Sequence, residues 1–165
     1  MKTLYLVRHA KSSWKEIALS DKERPLNKRG KQDAPVIGKL LKKMKVKSDL
    51  IISSPAVRAF TTAKLIAKEI EYPKFKIELL DNIYMADSAE LSVEMSKADD
   101  KCESIMLFGH NPGITDFLNT LCKESIDNMP TCSVACIQFE INSWSEIKNK
   151  KGKLIFFEYP KKHLE

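Results

Sequence analysis

The 165-residue chain is long enough for one domain with its own hydrophobic core, and we expect a single domain over residues 1–165. Hydrophobic residues make up 43% of the chain and charged residues 30%, a composition that excludes intrinsic disorder. The net charge of +6 favours anionic ligands, but no basic motif interleaved with aromatic residues is present, so we expect no nucleic acid partner.

Short β-rich apolar runs alternate with helix-like stretches along the chain. The predicted strands cover residues 3–7, 50–52, 75–80, 104–108, 134–141 and 153–159. The predicted helices cover residues 31–43, 56–70, 88–97 and 114–121. This alternation predicts an α/β three-layer sandwich, in which a mainly parallel central sheet carries helices on both faces. A polar segment joins the last two strands, which predicts an antiparallel edge hairpin.

Three of the predicted parallel strands end in polar residues that sheet packing does not explain. Arg8 and His9 follow the first strand, Arg58 lies just beyond the second, and His110 follows the fourth. Parallel strands deliver their carboxyl ends to one edge of a sheet, where ligands of open α/β sheets bind, so we expect these side chains to converge. The two guanidinium groups and the nearby helix amino ends predict an anionic ligand such as phosphate.

The pair of histidines points to chemistry as well as binding. A neutral His9 held in line with a phosphorus atom can accept a phosphoryl group, while the arginines and His110 stabilise the charge on the remaining oxygens. Water then hydrolyses the phosphohistidine. This mechanism needs no cofactor and no metal, and the residues offer poor prospects for a zinc or magnesium site.

The same motifs resemble those of the histidine phosphatase (phosphoglycerate mutase-like) superfamily. The matching segments, in order, are residues 6–10, 53–63 and 109–113, and the finer pattern of residues 8–30 is similar to the short SixA-type phosphohistidine phosphatases. The resemblance covers the chain to about Tyr159. It implies that His9 is the nucleophile and that the phosphate pocket is completed by Arg8, Arg58 and His110.

The resemblance also implies a carboxylate that donates a proton to the leaving group. The family commonly has a Glu just after the third strand, a place that Asp81 occupies here, and Asp21, in the loop after the first strand, is the rival. An imidazole leaving group needs less help from an acid than an alkoxide does. A weakly placed acid would therefore suit a phosphoramidate substrate.

Three further residues near the motifs each have two open interpretations. Arg24 either shapes its loop or contacts the pocket rim. Ser12, together with Lys11 and Trp14, either lines the pocket entrance and binds substrate or belongs to a loop anchor. Asn111 either contacts the substrate at the site edge or only forms a turn, and the following Pro-Gly pair favours the turn.

The segment between the third and fourth strands, residues 81–103, is short beside the insertions of mutases and sugar bisphosphatases in the superfamily. We therefore expect an open site and rank a phosphorylated protein, carrying phosphohistidine, above a small phosphorylated metabolite or mutase activity. A phosphate-binding module without hydrolysis is the remaining alternative. The edge hairpin permits a weak dimer but does not require one, so a monomer or weak dimer is expected.

The chain ends and the cysteines bear on where the protein works. The apolar run at residues 4–7 is too short for a secretory signal, and no stretch approaches the ~20 apolar residues of a membrane span. Four cysteines without a Cys-x-x-Cys pair predict reduced, mostly buried thiols. We therefore expect a cytoplasmic protein without membrane contact, and we treat Leu164 and Glu165 as a candidate cloning remnant.

Overall fold

In a computed structural model of the chain, strands alternate with helices. The structure describes residues 1–163, so the prediction that Leu164 and Glu165 are a cloning remnant lies outside the described residues. The strands are β1 (Lys2–Arg8), β2 (Leu50–Ser53), β3 (Glu78–Leu79), β4 (Ser104–Gly109), β5 (Val134–Phe139) and β6 (Lys153–Glu158). The α-helices are α1 (Lys28–Lys43), α2 (Val57–Glu69), α3 (Ser88–Ser96) and α4 (Gly113–Leu121).

The six strands form one sheet in the order β3-β2-β4-β1-β5-β6. The pairs β2/β3, β2/β4 and β1/β4 are parallel, whereas β1/β5 and β5/β6 are antiparallel. The β5–β6 pair therefore forms an antiparallel hairpin at one edge of an otherwise parallel sheet. This arrangement confirms the predicted fold class, and it brings the carboxyl ends of β1, β2 and β4 together.

Each face of the sheet is covered by a separate layer of helices. Strand side chains alternate between the two faces, so Leu4 and Leu6 pack under α3 and α4, while Tyr5 and Val7 pack under α1 and α2. A short 3-10 helix at Trp144–Lys148 extends the first layer, and its buried tryptophan fills the amino-terminal end of that core. The two cores confirm the predicted sandwich of helices on both faces.

The strand predicted at residues 75–80 is mostly wrong. The structure forms a 3-10 helix at Lys74–Lys76, and only Glu78 and Leu79 pair with β2. Phe75 is 83% exposed, so the apolar residue that suggested a buried strand lies on the surface. The pairing ends early because Leu80 already leads into a second 3-10 helix, Asp81–Ile83.

The amino end of α1 begins three residues before the predicted start because Asn27 caps it. The side-chain oxygen of Asn27 accepts the N–H of Gly30 at 2.8 Å. A Cβ atom at Gly30 would lie 2.2 Å from the carbonyl oxygen of Lys11, so only glycine permits this contact. The helix is thereby fixed against the loop that follows β1, next to the carboxyl edge of the sheet. Within residues 1–163, none of the helices has the length and apolar character needed to cross a membrane.

Candidate active site

A cavity of about 300 Å³ lies at the carboxyl edge of the sheet, where the ends of β1, β2 and β4 meet. It draws its walls from loops and helix starts that are far apart in the sequence. The lining residues are Arg8, His9, Lys11, Ser12, Trp14, Asp21, Arg24, Arg58, Met85, His110, Asn111 and Thr131. Eight of the nine candidate site residues from the sequence are therefore brought together, and the ninth, Asp81, is not.

His9 follows directly after β1, and its side chain is buried. Its Nδ1 lies 2.7 Å from the carbonyl oxygen of Ala10. Because a carbonyl oxygen only accepts hydrogen bonds, Nδ1 carries the proton and Nε2 keeps its lone pair. Burial, and then the positive charges of Arg58 and Arg8, lower the pKa of His9 to about 4. At neutral pH the site thus holds an uncharged imidazole with a free Nε2.

His110 follows β4, and its ring centroid lies 5.2 Å from that of His9. Its Nε2 is 2.7 Å from Oγ of Ser54, while its buried Nδ1 has no hydrogen-bond partner within residues 1–163. Ser54 Oγ accepts the N–H of Ala56, and we assign the serine hydrogen to the bond with Nε2, the tautomer in which the ring proton is on Nδ1. Burial, and then the neighbouring His9, lower the pKa of His110 to about 3, so this ring is also neutral.

Arg8 is the last residue of β1 and lines the floor of the cavity. Its Nη1 donates to the carbonyl oxygen of Met129 at 2.9 Å. Its Nε is buried and has no partner in the described part of the chain. A buried N–H without a partner costs free energy unless an acceptor reaches it. Arg8 is therefore held in place by one contact and keeps a donor for an anion.

Arg58 lies in the first turn of α2 and is engaged by the loop after β1. Its Nη1 donates to the backbone oxygen of Asp21 at 2.7 Å, and its Nη2 lies 2.9 Å from Oδ2 of the same residue. Arg58 is 4% exposed, so the cation of this ion pair is buried. The hydroxyl of Thr62 donates to the Arg58 carbonyl and accepts the N–H of Ala10, so α2 is tied to the turn that carries His9.

Asp21 is the carboxylate of the cavity, and its surroundings keep it ionised. The hydroxyl of Tyr84 donates to its Oδ2, and Arg24 donates to its Oδ1 at 2.9 Å. The Tyr84 hydrogen bond, followed by those from Arg58 and Arg24, holds the pKa of the Asp21 carboxyl well below its usual range. An ionised carboxylate has no proton to give, so this arrangement does not favour Asp21 as the acid.

Asp81 lies in the 3-10 helix after β3, is exposed and does not line the cavity. The proton-donor prediction for Asp81 therefore finds no support in the geometry. The residue that this helix directs toward the site is Tyr84, whose ring meets His110 edge-on at a centroid distance of 5.6 Å. The side chain three residues after the predicted acid thus occupies the place next to the histidines.

The three residues with two open interpretations all lie at the cavity. Arg24 is buried, donates to the Ser13 carbonyl and to the Ser12 hydroxyl, and stacks over the ring of Trp14. Arg24 and Ser12 therefore shape the loop and contact the rim at the same time. The amide nitrogen of Asn111 donates to the Met129 carbonyl at 3.1 Å, and its side-chain oxygen accepts from a threonine hydroxyl. Both polar atoms of the side chain therefore have partners within the protein.

Four residues of the site were not singled out from the sequence: Ser54, Tyr84, Met85 and Thr131. Ser54 lies inside one of the three motifs, but nothing in the motif shows that its hydroxyl meets a histidine 56 residues away. Tyr84, Met85 and Thr131 sit in segments with no recognisable pattern. Their roles depend on how loops from different strands fold over the same edge.

Buried atoms without a partner show what the cavity can bind. Within residues 1–163, four buried side-chain nitrogen or oxygen atoms have no hydrogen-bond partner, and two of them, Arg8 Nε and His110 Nδ1, belong to this cavity. Both are donors in residues that line the cavity together with His9. An oxyanion with several acceptor oxygens satisfies both at once, whereas a cation does not.

Comparison with known proteins shows which family the chain belongs to. The family model of the histidine phosphatase superfamily (branch 1) matches residues 4–116, more than half of the chain. An uncharacterized chloroplastic protein of Arabidopsis thaliana is 32% identical over 151 residues, which are 87% of this chain and 69% of that protein. The structure of a protein histidine phosphatase SixA complexed with tungstate has a TM-score of 0.83 at 20% identity, covering 97% of this chain and 98% of that one.

A candidate phosphohistidine phosphatase SixA from Agrobacterium tumefaciens shares 27% identity, with a TM-score of 0.79 over 96% of this chain and 98% of that chain. The similarity therefore extends over nearly the whole chain and includes both helical layers. It also agrees with the resemblance inferred from the three motifs. The chain belongs to branch 1 of the histidine phosphatase superfamily and is a phosphatase of that superfamily.

Proposed function

We propose that the chain hydrolyses phosphohistidine on proteins by transferring the phosphoryl group to Nε2 of His9 and then to water. The observation that carries this proposal is the hydrogen bond from His9 Nδ1 to the Ala10 carbonyl. It leaves Nε2 unprotonated, and the lowered pKa of about 4 keeps the ring neutral at physiological pH. A neutral, oriented imidazole is the state that can attack phosphorus.

The groups around His9 match the charge that develops during phosphoryl transfer. The three equatorial oxygens of the phosphoryl group carry negative charge in the transition state. Arg8 Nε and His110 Nδ1 are unused donors, and Arg58 supplies a second guanidinium once its fork turns from Asp21 to the phosphate. After transfer, the Ala10 carbonyl still accepts from Nδ1 and stabilises the positively charged phosphoimidazolium.

The carboxylate environment favours a substrate with a good leaving group. The hydrogen bonds to Asp21 keep its carboxylate ionised, and Asp81 lies outside the cavity. An alkoxide leaving group depends strongly on a general acid. A phosphohistidine that carries a proton on its second ring nitrogen instead releases neutral imidazole, whose conjugate acid has a pKa of ~6.5, and needs no further proton from the enzyme. The site therefore fits a phosphoramidate better than the phosphate ester of an ordinary alcohol.

The rim of the cavity supports a protein substrate. Trp14 and Met85 line its entrance and are 74% and 53% exposed, so the opening faces solvent. Between β3 and β4 the chain forms only the 3-10 helix Asp81–Ile83, α3 and short connections. A phosphorylated side chain on a protein surface can enter such a site directly. The likeness of the fold to structures of SixA phosphatases supports the same substrate class.

The chemical step is tested with His9→Ala and a generic aryl phosphate. Removing the nucleophile should lower kcat by at least about 1,000-fold, because the two-step route through the phosphoenzyme is lost. His163→Ala is the matched control, since His163 is exposed and lies outside the cavity, and it should keep wild-type activity. Equal activity of wild type and His9→Ala would remove the nucleophile from the mechanism.

The substrate is tested by comparing a phosphohistidine protein with a panel of phosphorylated metabolites, including phosphoglycerate. We expect the highest kcat/KM for the phosphohistidine protein. A metabolite that exceeds it by orders of magnitude would overturn the protein-substrate proposal and identify a small-molecule phosphatase. Transfer of phosphate between positions of phosphoglycerate without net release would instead identify a mutase.

A further inference from the structure

A second cavity, of about 210 Å³, adjoins the catalytic one, and we call it the basic subsite. Its cations are Lys11, Arg29 and Lys161, and no carboxylate is among its lining residues. Lys11 and Thr131 line both cavities, so the two spaces are neighbours that share one wall. A substrate larger than a phosphate group that is bound at His9 can therefore also contact residues of the basic subsite.

The backbone fixes these cations near one another. The carbonyl oxygen of Lys11 accepts the N–H of Asn27 at 2.9 Å, and the close approach of Gly30 seats the start of α1 on the same residue. Arg29, in the first turn of α1, is thereby held beside Lys11. Its Nε lies 3.4 Å from Oδ2 of the buried Asp33, an ion pair that does not have the geometry of a hydrogen bond.

The other two cations keep their charge uncompensated. Within residues 1–163, neither Lys11 nor Lys161 forms an ion pair, and both side chains are exposed. Three positive charges around one concave space that no carboxylate lines produce a positive potential. The basic subsite includes Lys161 of the 3-10 helix Pro160–His163, so this potential lies on that side of the catalytic cavity.

The remaining wall of the basic subsite is apolar. Apart from Thr131, the other lining residues are Pro130, Tyr159 and the buried Pro160, which present their rings. A phosphate group has no apolar part to place against such a wall. A carboxylate at the end of a short methylene chain does, because its head can meet the lysines while its stem lies on the rings.

We propose that the basic subsite binds an acidic side chain of the phosphorylated substrate protein, located near the phosphohistidine in that protein. This inference rests on the proposed function and narrows its substrate class to phosphohistidine in an acidic neighbourhood. Binding there gives the enzyme a contact outside the chemical step. It therefore acts on kcat/KM for a protein substrate and leaves the hydrolysis of a small aryl phosphate unchanged.

The test uses Lys161→Glu, because Lys161 lines the basic subsite but not the catalytic cavity. The matched control is Lys162→Glu, which makes the same charge change one residue away. Lys162 lies near Glu158 at 3.4 Å and lines neither cavity. The comparison separates a direct contact from the general field of the protein surface.

The probes are two synthetic peptides with a central phosphohistidine, which differ only in having Glu or Gln at two positions on each side. The wild-type enzyme should prefer the Glu peptide by about fivefold in kcat/KM, the effect expected of ~1 kcal/mol at a partly exposed ionic contact. Lys161→Glu should abolish the preference, Lys162→Glu should retain it, and all three proteins should hydrolyse aryl phosphate equally.

Two results overturn this inference while leaving the proposed function intact. One is equal kcat/KM for the two peptides with the wild-type enzyme, and the other is an equal loss of preference in both lysine variants. No turnover of either peptide, together with normal aryl phosphate hydrolysis, refutes the proposed function and the inference with it. If Lys161→Glu slows only a bisphosphorylated sugar, the subsite binds a second phosphate and the acidic side chain is wrong.

Discussion

Strand β1 carries a basic residue at each end, and the two ends differ in how their hydrogen bonds are completed. Lys2, at the amino end, is 2% exposed, and its Nζ contacts the carbonyl oxygens of Asp100 and Cys102 and the carboxylate of Glu103. Arg8, at the carboxyl end, uses Nη1 on one carbonyl and leaves Nε buried without a partner.

The difference separates a structural cation from a functional one on the same strand. Because strand side chains alternate, Lys2 and Arg8 point to the same face of the sheet. The difference between their hydrogen bonds is therefore not caused by the face on which they lie. The ammonium group of Lys2 is paired entirely with acceptors of the protein itself. Arg8 is placed in a wall where the protein supplies too few acceptors, and such a deficit favours binding of an external anion.

The largest effect that tests this comparison is expected from Arg8→Lys. A lysine keeps the charge but loses the Nε donor and the planar fork, so kcat/KM for an aryl phosphate should fall by about 100-fold, typical of losing one preorganised oxyanion donor. The free energy of unfolding should change by less than about 1 kcal/mol, since a single carbonyl contact is at stake. An active Arg8→Lys enzyme would contradict the functional assignment of this end.

Lys2→Ala should show the opposite pattern. The variant removes a buried ammonium group that contacts two carbonyl oxygens and should lower the free energy of unfolding by about 1 to 3 kcal/mol. Its kcat/KM should stay at the wild-type value, because Lys2 lies at the far edge of the sheet. Urea unfolding and steady-state kinetics on the same preparation measure both. A loss of activity without a loss of stability would break the comparison.

A smaller effect is expected from Ser54→Ala, which removes the hydroxyl that sets the ring proton of His110. Without that donor the tautomer with the proton on Nε2 becomes accessible, so Nδ1 loses its role and kcat should fall by about tenfold. The ¹⁵N chemical shifts of the His110 ring report the tautomer directly, and a merely structural role would not move them. Ser54→Thr should restore both activity and shifts.

Ser53→Ala is the matched control for this variant. Ser53 is equally buried, but its hydroxyl donates to the neighbouring Ser54 carbonyl and meets no histidine. It should leave the ring shifts of His110 unchanged. If both serine variants alter activity alike while the shifts stay constant, Ser54 acts by packing and the tautomer argument fails.

The sheet and the position of the site could be predicted because they depend on short-range patterns. The buried runs around β1, β2 and β4 are continuous and apolar, and the polar residues after them fall at strand ends, where a parallel topology must bring them together. The edge strand β3 could not be placed as well, since an exposed apolar residue such as Phe75 imitates a buried strand.

The acid–base environment of the site was beyond prediction for a different reason. The ionised state of Asp21 depends on Arg58, 37 residues later, and on Tyr84, 63 residues later, and such contacts leave no trace in local patterns. The resemblance to the family pointed to Asp81 as the acid, but Asp81 is exposed in the 3-10 helix at that position, and the ring of Tyr84 lies beside His110. A single turn of 3-10 helix therefore decides whether the aspartate or the tyrosine lies next to the histidines.

The contact between the His9 ring and the Ala10 carbonyl also fixes the regiochemistry of the phosphoenzyme. A phosphorylated imidazole exists as two positional isomers, and only the one with phosphorus on Nε2 can form while Nδ1 holds its proton against a carbonyl. The trapped intermediate should therefore be a single isomer, the 3-phosphohistidine form. A backbone oxygen of the next residue thus dictates which of two chemically distinct modifications the protein carries.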